Sequence, residues 1–194
     1  MWINGFYPLS CAALLLAALE GAASPATLLA MLATLWINVV LHELGHAVTT
    51  CATGGAVTGL KLYPWHGVTT VQRPEGHLAY AAVVAAGPAL GIAAALGGIA
   101  LLSMAVGPVV LGSAVAAMHA MLWLGIADNA LNLIPVGVLD GRRLLREVSA
   151  WRVERARHSL PQRHEWEVVP TAPPVAVGTR RRVALRPAWL RACV

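Results

Sequence analysis

A five-residue pattern, His42-Glu43-Leu44-Gly45-His46, constrains this chain more than any other feature of its sequence. Residues four apart on a helix share a face, so His42 and His46 can present two imidazoles to one zinc ion. Glu43 then lies beside the metal, where it can take a proton from a water that zinc has activated. The uncharged run from Gly21 to Leu41 leads directly into His42. The pattern therefore predicts a metal site at the edge of a membrane, where ionisable residues are costly and usually functional.

The composition is that of a membrane protein. Of the 194 residues, 58% are hydrophobic and only 12% are charged, whereas a soluble domain is nearer half apolar and a quarter charged. Glycine and alanine are abundant, which suits helices that pack closely in lipid. The three cysteines, Cys11, Cys51 and Cys193, are scattered and odd in number, so no disulfide framework is predicted. We therefore expect one integral membrane domain.

Four membrane spans are predicted, at residues 2–19, 26–50, 78–105 and 109–135. Leu78 to Ala127 contain no Asp, Glu, Lys or Arg. A single helix over that range would be about 75 Å long, more than twice the hydrocarbon core, so the chain must fold back near Gly107-Pro108. The histidine pattern occupies the last turns of the second span. Gly87 and Gly91 predict a small-residue packing face on the third span.

A short β-hairpin is predicted between the second and third spans. Thr53-Gly54-Gly55 ends the helix, and the β-branched segments Val57–Tyr63 and Val68–Gln72 are joined by residues 64–67. The alternative is a connecting loop with two weak strands. The predicted fold class is thus an all-α polytopic membrane protein with four transmembrane helices and this hairpin. A strand edge of the hairpin could hold an unwound peptide by β-addition.

Positive charge is concentrated after the last predicted span. All but two of the 14 Lys and Arg lie at or after Arg142. A basic flank marks the cytoplasmic side of a membrane, so an even number of spans predicts a multi-pass protein, of a bacterial-type cell membrane, with both termini cytoplasmic. We divide the chain into a core at residues 1–145 and a basic, Pro-containing, partly disordered tail at residues 146–194. Anionic lipid headgroups are the expected partner of the tail, and nucleic acid is not expected.

A catalytic zinc site needs a third protein ligand besides the two histidines. The only Asp residues of the chain, Asp128 and Asp140, both lie at the cytoplasmic end of the fourth span, and either could be that ligand. The alternative for Asp128 is a carboxylate hydrogen-bonded to a ligand histidine or to Asn132. Cys51 is expected to be a small buried residue, and His119 to form an interhelical hydrogen bond, rather than to bind metal.

The sequence resembles the intramembrane zinc metalloproteases of the site-2 protease family, peptidase family M50. That family pairs the histidine pattern with a downstream Asn-x-x-Pro and Leu-Asp-Gly motif, which this chain matches at Asn132, Pro135 and Leu139-Asp140-Gly141. The likeness covers residues 35–145 and extends to compact M50B-like members. The chain departs from the family pattern at Gly137 and Arg142, where members often have a second Pro and a second Gly.

The resemblance implies a role for each matched residue. His42, His46 and Asp140 would ligate zinc, and Glu43 would be the catalytic acid/base. Asn132 would help to hold the substrate or the site. The implied activity is hydrolysis of peptide bonds in or near transmembrane segments of membrane-protein substrates, with Zn²⁺ as cofactor.

Two other function classes are weighed against this enzyme. A catalytically inactive M50-like membrane scaffold or binding protein would keep the fold, but a decayed site has no reason to retain both histidines, Glu43 and Asp140. A zinc transporter would need polar residues along a whole membrane path. Apart from His119, the acidic and histidine residues of the spans cluster at one end, so the transporter ranks last.

Overall fold

The computed structural model describes residues 2–21, 23–63, 65–106 and 113–159. Eight elements follow one another along this part of the chain: strand β1 (Trp2–Phe6), helix α1 (Pro8–Leu19), helix α2 (Pro25–Ala52), strands β2 (Ala56–Tyr63) and β3 (His66–Gln72), and helices α3 (His77–Val106), α4 (Ser113–Asn132) and α5 (Asp140–Ser159). The predicted break at Gly107-Pro108 and the tail beyond residue 159 lie outside the described residues.

Three of the described helices are long and apolar enough to cross a membrane. They span Pro25–Ala52, His77–Ala105 and Ala114–Asn132, and they correspond to the second, third and fourth predicted spans. α2, α3 and α4 pack against one another. At the start of α2, the Ser24 hydroxyl accepts a hydrogen bond from the backbone N–H of Thr27. This cap satisfies one of the N–H groups that a helix start leaves without a partner.

The first predicted span, at residues 2–19, is not a single helix. Tyr7 separates β1 from α1, and Pro8 occupies the first turn of the helix, where its missing N–H group leaves no bond unmade. α1 has 12 residues, about 18 Å, which is too short to cross a hydrocarbon core of about 30 Å. The segment is apolar enough for a span, but its first residues form backbone hydrogen bonds with another strand instead.

β1, β3 and β2 form a three-stranded antiparallel sheet in that order. β2 and β3 lie between α2 and α3 in the chain, and the sheet has β1 as a third strand. β2 ends at Tyr63 and β3 begins at His66, so His66 and Gly67 belong to a strand and not to the turn. Because β3 is paired on both sides, β2 is the hairpin strand with one side unpaired among the described residues.

The first turn of α1 is held by Asp128 of α4. The Asp128 carboxylate accepts hydrogen bonds from the backbone N–H groups of Leu9 and Ser10, both at 2.9 Å, and from the Ser10 hydroxyl at 2.6 Å. These N–H groups have no partner within their own helix, and the helix dipole favours a negative charge beside them. Asp128 is fully buried, and these bonds explain how its carboxylate is tolerated there.

Two further features fix the frame around the site. A Cβ atom at Gly45 would lie 2.4 Å from the carbonyl oxygen of Ala86, so the glycine allows the backbones of α2 and α3 to touch. α5 runs continuously through residue 145, the predicted end of the core, and the compact unit extends to Ser159. The helix that begins at Asp140 is therefore part of this unit.

The capping role of Asp128 predicts a loss of stability without a loss of metal. Asp128→Asn should lower the free energy of unfolding by about 1–3 kcal/mol. The NH₂ group of Asn would replace one carboxylate oxygen and would face the N–H and hydroxyl donors that the oxygen accepts. Ser10→Ala removes only the hydroxyl bond and should have a smaller effect. Thermal unfolding in detergent, followed by tryptophan fluorescence, measures both. A loss of bound metal in Asp128→Asn would contradict the capping role.

Candidate metal centre

A stripe of polar side chains, spaced four residues apart, runs along the buried face of α2. Its members are Thr34, Asn38, His42, His46 and Thr50. The two outer members bond to their own helix, because each threonine hydroxyl donates to the carbonyl oxygen four residues earlier. The three inner members, Asn38, His42 and His46, are left to interact with other elements.

Three buried atoms converge at this stripe. The two imidazole Nε2 atoms of His42 and His46 are 3.1 Å apart. Asp140 Oδ2, at the start of α5, lies 3.3 Å from His42 Nε2 and 3.4 Å from His46 Nε2. A zinc ion bound at about 2.0–2.1 Å to tetrahedral ligands separates those ligands by about 3.3–3.4 Å. The spacing of the three atoms therefore fits one metal ion, and all three residues are fully buried.

The Nδ1 atom of His46 is bound to α3. It lies 2.8 Å from the carbonyl oxygen of Val83, which can only accept, so Nδ1 carries the hydrogen. When this ring is neutral, its lone pair is on Nε2, facing Asp140. Gly87 makes room for the ring, since a Cβ atom there would lie 2.2 Å from His46 Nε2. The predicted small-residue face of α3 is thus fitted to the histidine.

Asn129 of α4 orients His42 in the same way. Its Oδ1 lies 2.7 Å from His42 Nδ1 and also accepts the Tyr7 hydroxyl at 3.2 Å. The Asn129 NH₂ group donates to Asn38 Oδ1 at 2.8 Å and to the Gly125 carbonyl oxygen at 2.7 Å, which fixes the amide orientation. Burial raises the pKa of Tyr7 well above its ordinary value, so its hydroxyl stays a donor. Both imidazoles consequently direct Nε2 towards the shared centre.

The converging atoms are suited to hold a metal ion. Among the described residues Asp140 Oδ2 has no hydrogen-bond donor, while its other oxygen accepts from Arg143 at 3.4 Å. When both rings are neutral and carry their hydrogen on Nδ1, two imidazole lone pairs and a carboxylate oxygen face one another. Buried acceptors in this arrangement are strongly unfavourable unless a positive ion lies between them. Two nitrogens and one oxygen are also the donor set of many catalytic zinc sites.

Glu43 lies beside this centre and is held by the sheet. Its Oε2 accepts a short hydrogen bond from the Thr69 hydroxyl of β3, and its Oε1 accepts the backbone N–H of Gly5 at 3.2 Å. The carboxylate packs directly on Gly67 of β3, where a Cβ atom would lie 2.2 Å from Glu43 Cγ. β1 and β3 thus determine the orientation of Glu43, which is not itself one of the three converging residues.

Asn132, a predicted substrate-binding residue, contacts β1. Its Oδ1 accepts the backbone N–H of Phe6 at 3.2 Å, and its Nδ2 donates to the Phe6 carbonyl oxygen at 3.0 Å. This pairing holds the end of β1 next to Gly5, which in turn donates to Glu43. The described contacts of Asn132 therefore link α4 to the strand that holds the predicted base.

The other candidates lie outside the converging set. Asp128 caps α1, and among the described residues its carboxylate has no hydrogen bond to a histidine or to Asn132, unlike the predicted alternative. Cys51 is exposed and not buried as predicted. The metal-binding group found among the described residues does not include His119.

Sequence analysis missed two residues that hold the site. Asn129, and not its neighbour Asp128, bonds to His42, and Thr69 bonds to Glu43. The sequence does indicate Asn38, which bonds to Asn129, because Asn38 precedes His42 by four residues on the same face of α2. No local pattern points to Thr69, since β3 meets α2 only in the folded chain.

Comparison with known proteins shows the family of this chain. A family model described as Peptidase M50B-like matches residues 9–141. The chain belongs to this family. The match of this M50B-like chain begins in α1, includes both histidines and Glu43, and ends one residue after Asp140.

One curated relative is reported for the M50B-like chain. It is a protein of Synechocystis sp. that is provisionally named a zinc metalloprotease, and it is 31% identical over 120 residues. The aligned region is 61% of this chain and 31% of the relative, so the chain spans about a third of the relative's length. No solved structure matches the chain. The relationship supports a metallopeptidase, at distant homology.

The close contact between α3 and His46 predicts a glycine requirement. Gly87→Ala should weaken metal binding by about tenfold or more, because the added methyl group occupies the position of the imidazole. Gly97→Ala on the same helix is the matched control, since a Cβ atom there meets nothing within 4 Å. Metal affinity of the two purified variants, measured by chelator competition, tests the requirement. Equal affinities would contradict it.

Proposed function

We propose that this M50B-like chain is an intramembrane zinc metalloprotease that hydrolyses peptide bonds in or near transmembrane segments of membrane-protein substrates. The observation that carries the proposal is the convergence of two imidazole nitrogens and one carboxylate oxygen beside Glu43, among helices apolar enough to cross a membrane. The family membership and the name of the Synechocystis relative support a protease.

In this proposal His42, His46 and Asp140 hold one zinc ion through Nε2, Nε2 and Oδ2. The bound ion supplies Lewis acidity, which activates water near neutral pH and polarises the scissile carbonyl. Glu43 accepts the proton of the attacking water and later gives it to the leaving amine. The Thr69 hydroxyl, together with a backbone N–H of β1, holds the Glu43 carboxylate ready for this transfer.

A transmembrane substrate must be unwound before it is cut, because an intact helix keeps its carbonyl groups in its own hydrogen bonds. An extended segment can be held by addition to the edge of a sheet. The unpaired side of β2 (Ala56–Tyr63) offers such an edge. The same sheet holds Glu43 through Gly5 and Thr69. A substrate strand added to β2 would therefore belong to the sheet that orients the proposed general base.

The orientation in the membrane follows from charge. α4 leads to the start of α5, whose arginines favour the cytoplasmic side. Gly5 of β1 donates to Glu43 of α2, and Asp140 at the start of α5 lies beside His42 of α2. β1 and the start of α5 therefore lie near the same part of α2. We therefore propose a multi-pass protein of a bacterial-type cell membrane, with the site near the cytoplasmic face. Anionic lipid headgroups are the proposed partners of the basic tail at residues 146–194.

The alternative is an inactive M50-like scaffold that binds membrane proteins without cutting them. The bonding around the predicted base disfavours it. Glu43 is fully buried and its two oxygens have separate donors, one from β1 and one from β3. A scaffold has no need for a buried acid held in this way, because a neutral residue would be tolerated more easily.

Glu43→Gln separates the two functions. Gln keeps the shape of Glu, and its contacts can persist because the Thr69 hydroxyl accepts as well as donates. We expect zinc content to be unchanged and cleavage to fall by at least about 10²-fold, the usual contribution of a general base. The measurement is a proteome-wide search for new peptide N-termini in membranes that contain either the parent protein or the variant.

The matched control is Glu20→Gln, which changes an exposed glutamate at the end of α1. It should give the same new N-termini as the parent. If the parent and Glu43→Gln yield the same products, or if neither yields any while both bind zinc, the protease is excluded and the scaffold remains.

A further inference from the structure

A cluster of charged side chains around the buried Glu147 joins α5 to the start of α3, with Arg73 and His77 partly exposed. Glu147 of α5 is only 4% exposed, and its Oε2 accepts from Arg73 Nη2 at 2.5 Å and from His77 Nδ1 at 2.7 Å. The Arg73 guanidinium also lies over the ring of Tyr80, 4.9 Å from its centre. The Glu147 carboxylate is buried and depends on these two donors, so the cluster ties α5 to the start of α3 at this point.

The cluster lies on the same face of α5 as the predicted metal ligand. Asp140 and Glu147 are seven residues apart, which is two helical turns, and Leu144 between them packs against the apolar cluster around Tyr80. Asp140 is the one member of the converging set that α2 does not supply. Its position relative to the two histidines therefore depends on the rotation and height of α5.

α3 serves as the common reference for both parts of the site. The Val83 carbonyl oxygen on α3 orients His46, and His77, at the start of the same helix, binds Glu147. Metal coordination tolerates errors of only about 0.2 Å in ligand distance. A small rotation of α5 on α3 would thus carry Asp140 Oδ2 out of range of the imidazoles.

We propose that Glu147, held by Arg73 and His77, is a positioning residue of the metal centre. It acts through α5 to keep Asp140 Oδ2 in contact distance of His42 and His46. This role rests on the proposed function, because it assigns Asp140 as a metal ligand.

The test is zinc affinity of the purified full chain in detergent, measured by competition with a chromogenic chelator. Glu147→Gln should weaken zinc binding by about tenfold, similar to the loss of other groups that orient a ligand. Glu154→Gln is the matched control. Glu154 is seven residues after Glu147 on the same face of α5. Its side chain is 57% exposed and lies 3.9 Å from His77, so the Glu154→Gln variant should bind zinc with the parental affinity.

A second background distinguishes positioning from general loosening of the fold. If Glu147 acts through Asp140, Glu147→Gln should have no further effect on zinc affinity in an Asp140→Ala chain, because the ligand it positions is already missing. An equal loss in both backgrounds would overturn the positioning role. Unchanged affinity of Glu147→Gln in the parent background, with Asp140→Ala weakened, would overturn it as well and leave the metal centre intact.

Arg73→Gln provides a variant that keeps His77 as a partner of Glu147. It should weaken zinc binding in the same direction by a smaller factor, and it carries the same test if Glu147→Gln does not yield a monodisperse protein. Parent protein that binds no zinc, or an Asp140→Ala variant with parental affinity, would overturn the metal centre and the positioning role together.

Discussion

Three side-chain atoms converge inside an apolar protein in a geometry that fits one metal ion, and the surrounding elements hold that convergence. Two imidazole nitrogens and one carboxylate oxygen lie 3.1–3.4 Å apart, fully shielded from solvent. A divalent cation together with the carboxylates of Asp140 and Glu43 carries no net charge. Burial of these ionisable groups is least unfavourable when their charges cancel in this way.

Each neighbouring element supplies one bond that keeps this arrangement fixed. α3 orients one histidine through a backbone carbonyl, and α4 orients the other through Asn129. β1 and β3 hold the two oxygens of Glu43, and α5 contributes Asp140 at its first residue. Glycines at the contacts permit the close approach that these bonds require, as at Gly87 against His46. The site is therefore a property of how the elements pack and not of α2 alone.

The parts of the site that depend on one helix were predictable from sequence. Spacing along α2 was enough to bring His42 and His46 together, and a specific motif resemblance favoured Asp140 over Asp128. Neighbouring residues on a helix point about 100° apart, so nothing in the sequence decided between Asp128 and Asn129 as the partner of His42. The packing of α4 decides it, and it turns Asp128 towards α1 instead.

The parts that depend on distant pairing were not predictable. Hydropathy cannot separate a membrane span from a strand followed by a short helix, because both are apolar, and so the sequence alone predicts a span where β1 and α1 lie. Its pairing with β3 brings together residues 60 to 68 positions apart in the chain. The same pairing brings Gly5 to Glu43, and the β3 strand brings Thr69 there, so both contacts remained hidden in the sequence.

X-ray absorption at the zinc edge of the purified, zinc-loaded protein tests the central claim most directly. The account predicts one zinc per chain with nitrogen and oxygen neighbours at about 2.0–2.1 Å, and outer-shell scattering from two imidazole rings. A sulfur neighbour at about 2.3 Å, scattering from a single imidazole, or no zinc retained after loading would contradict it.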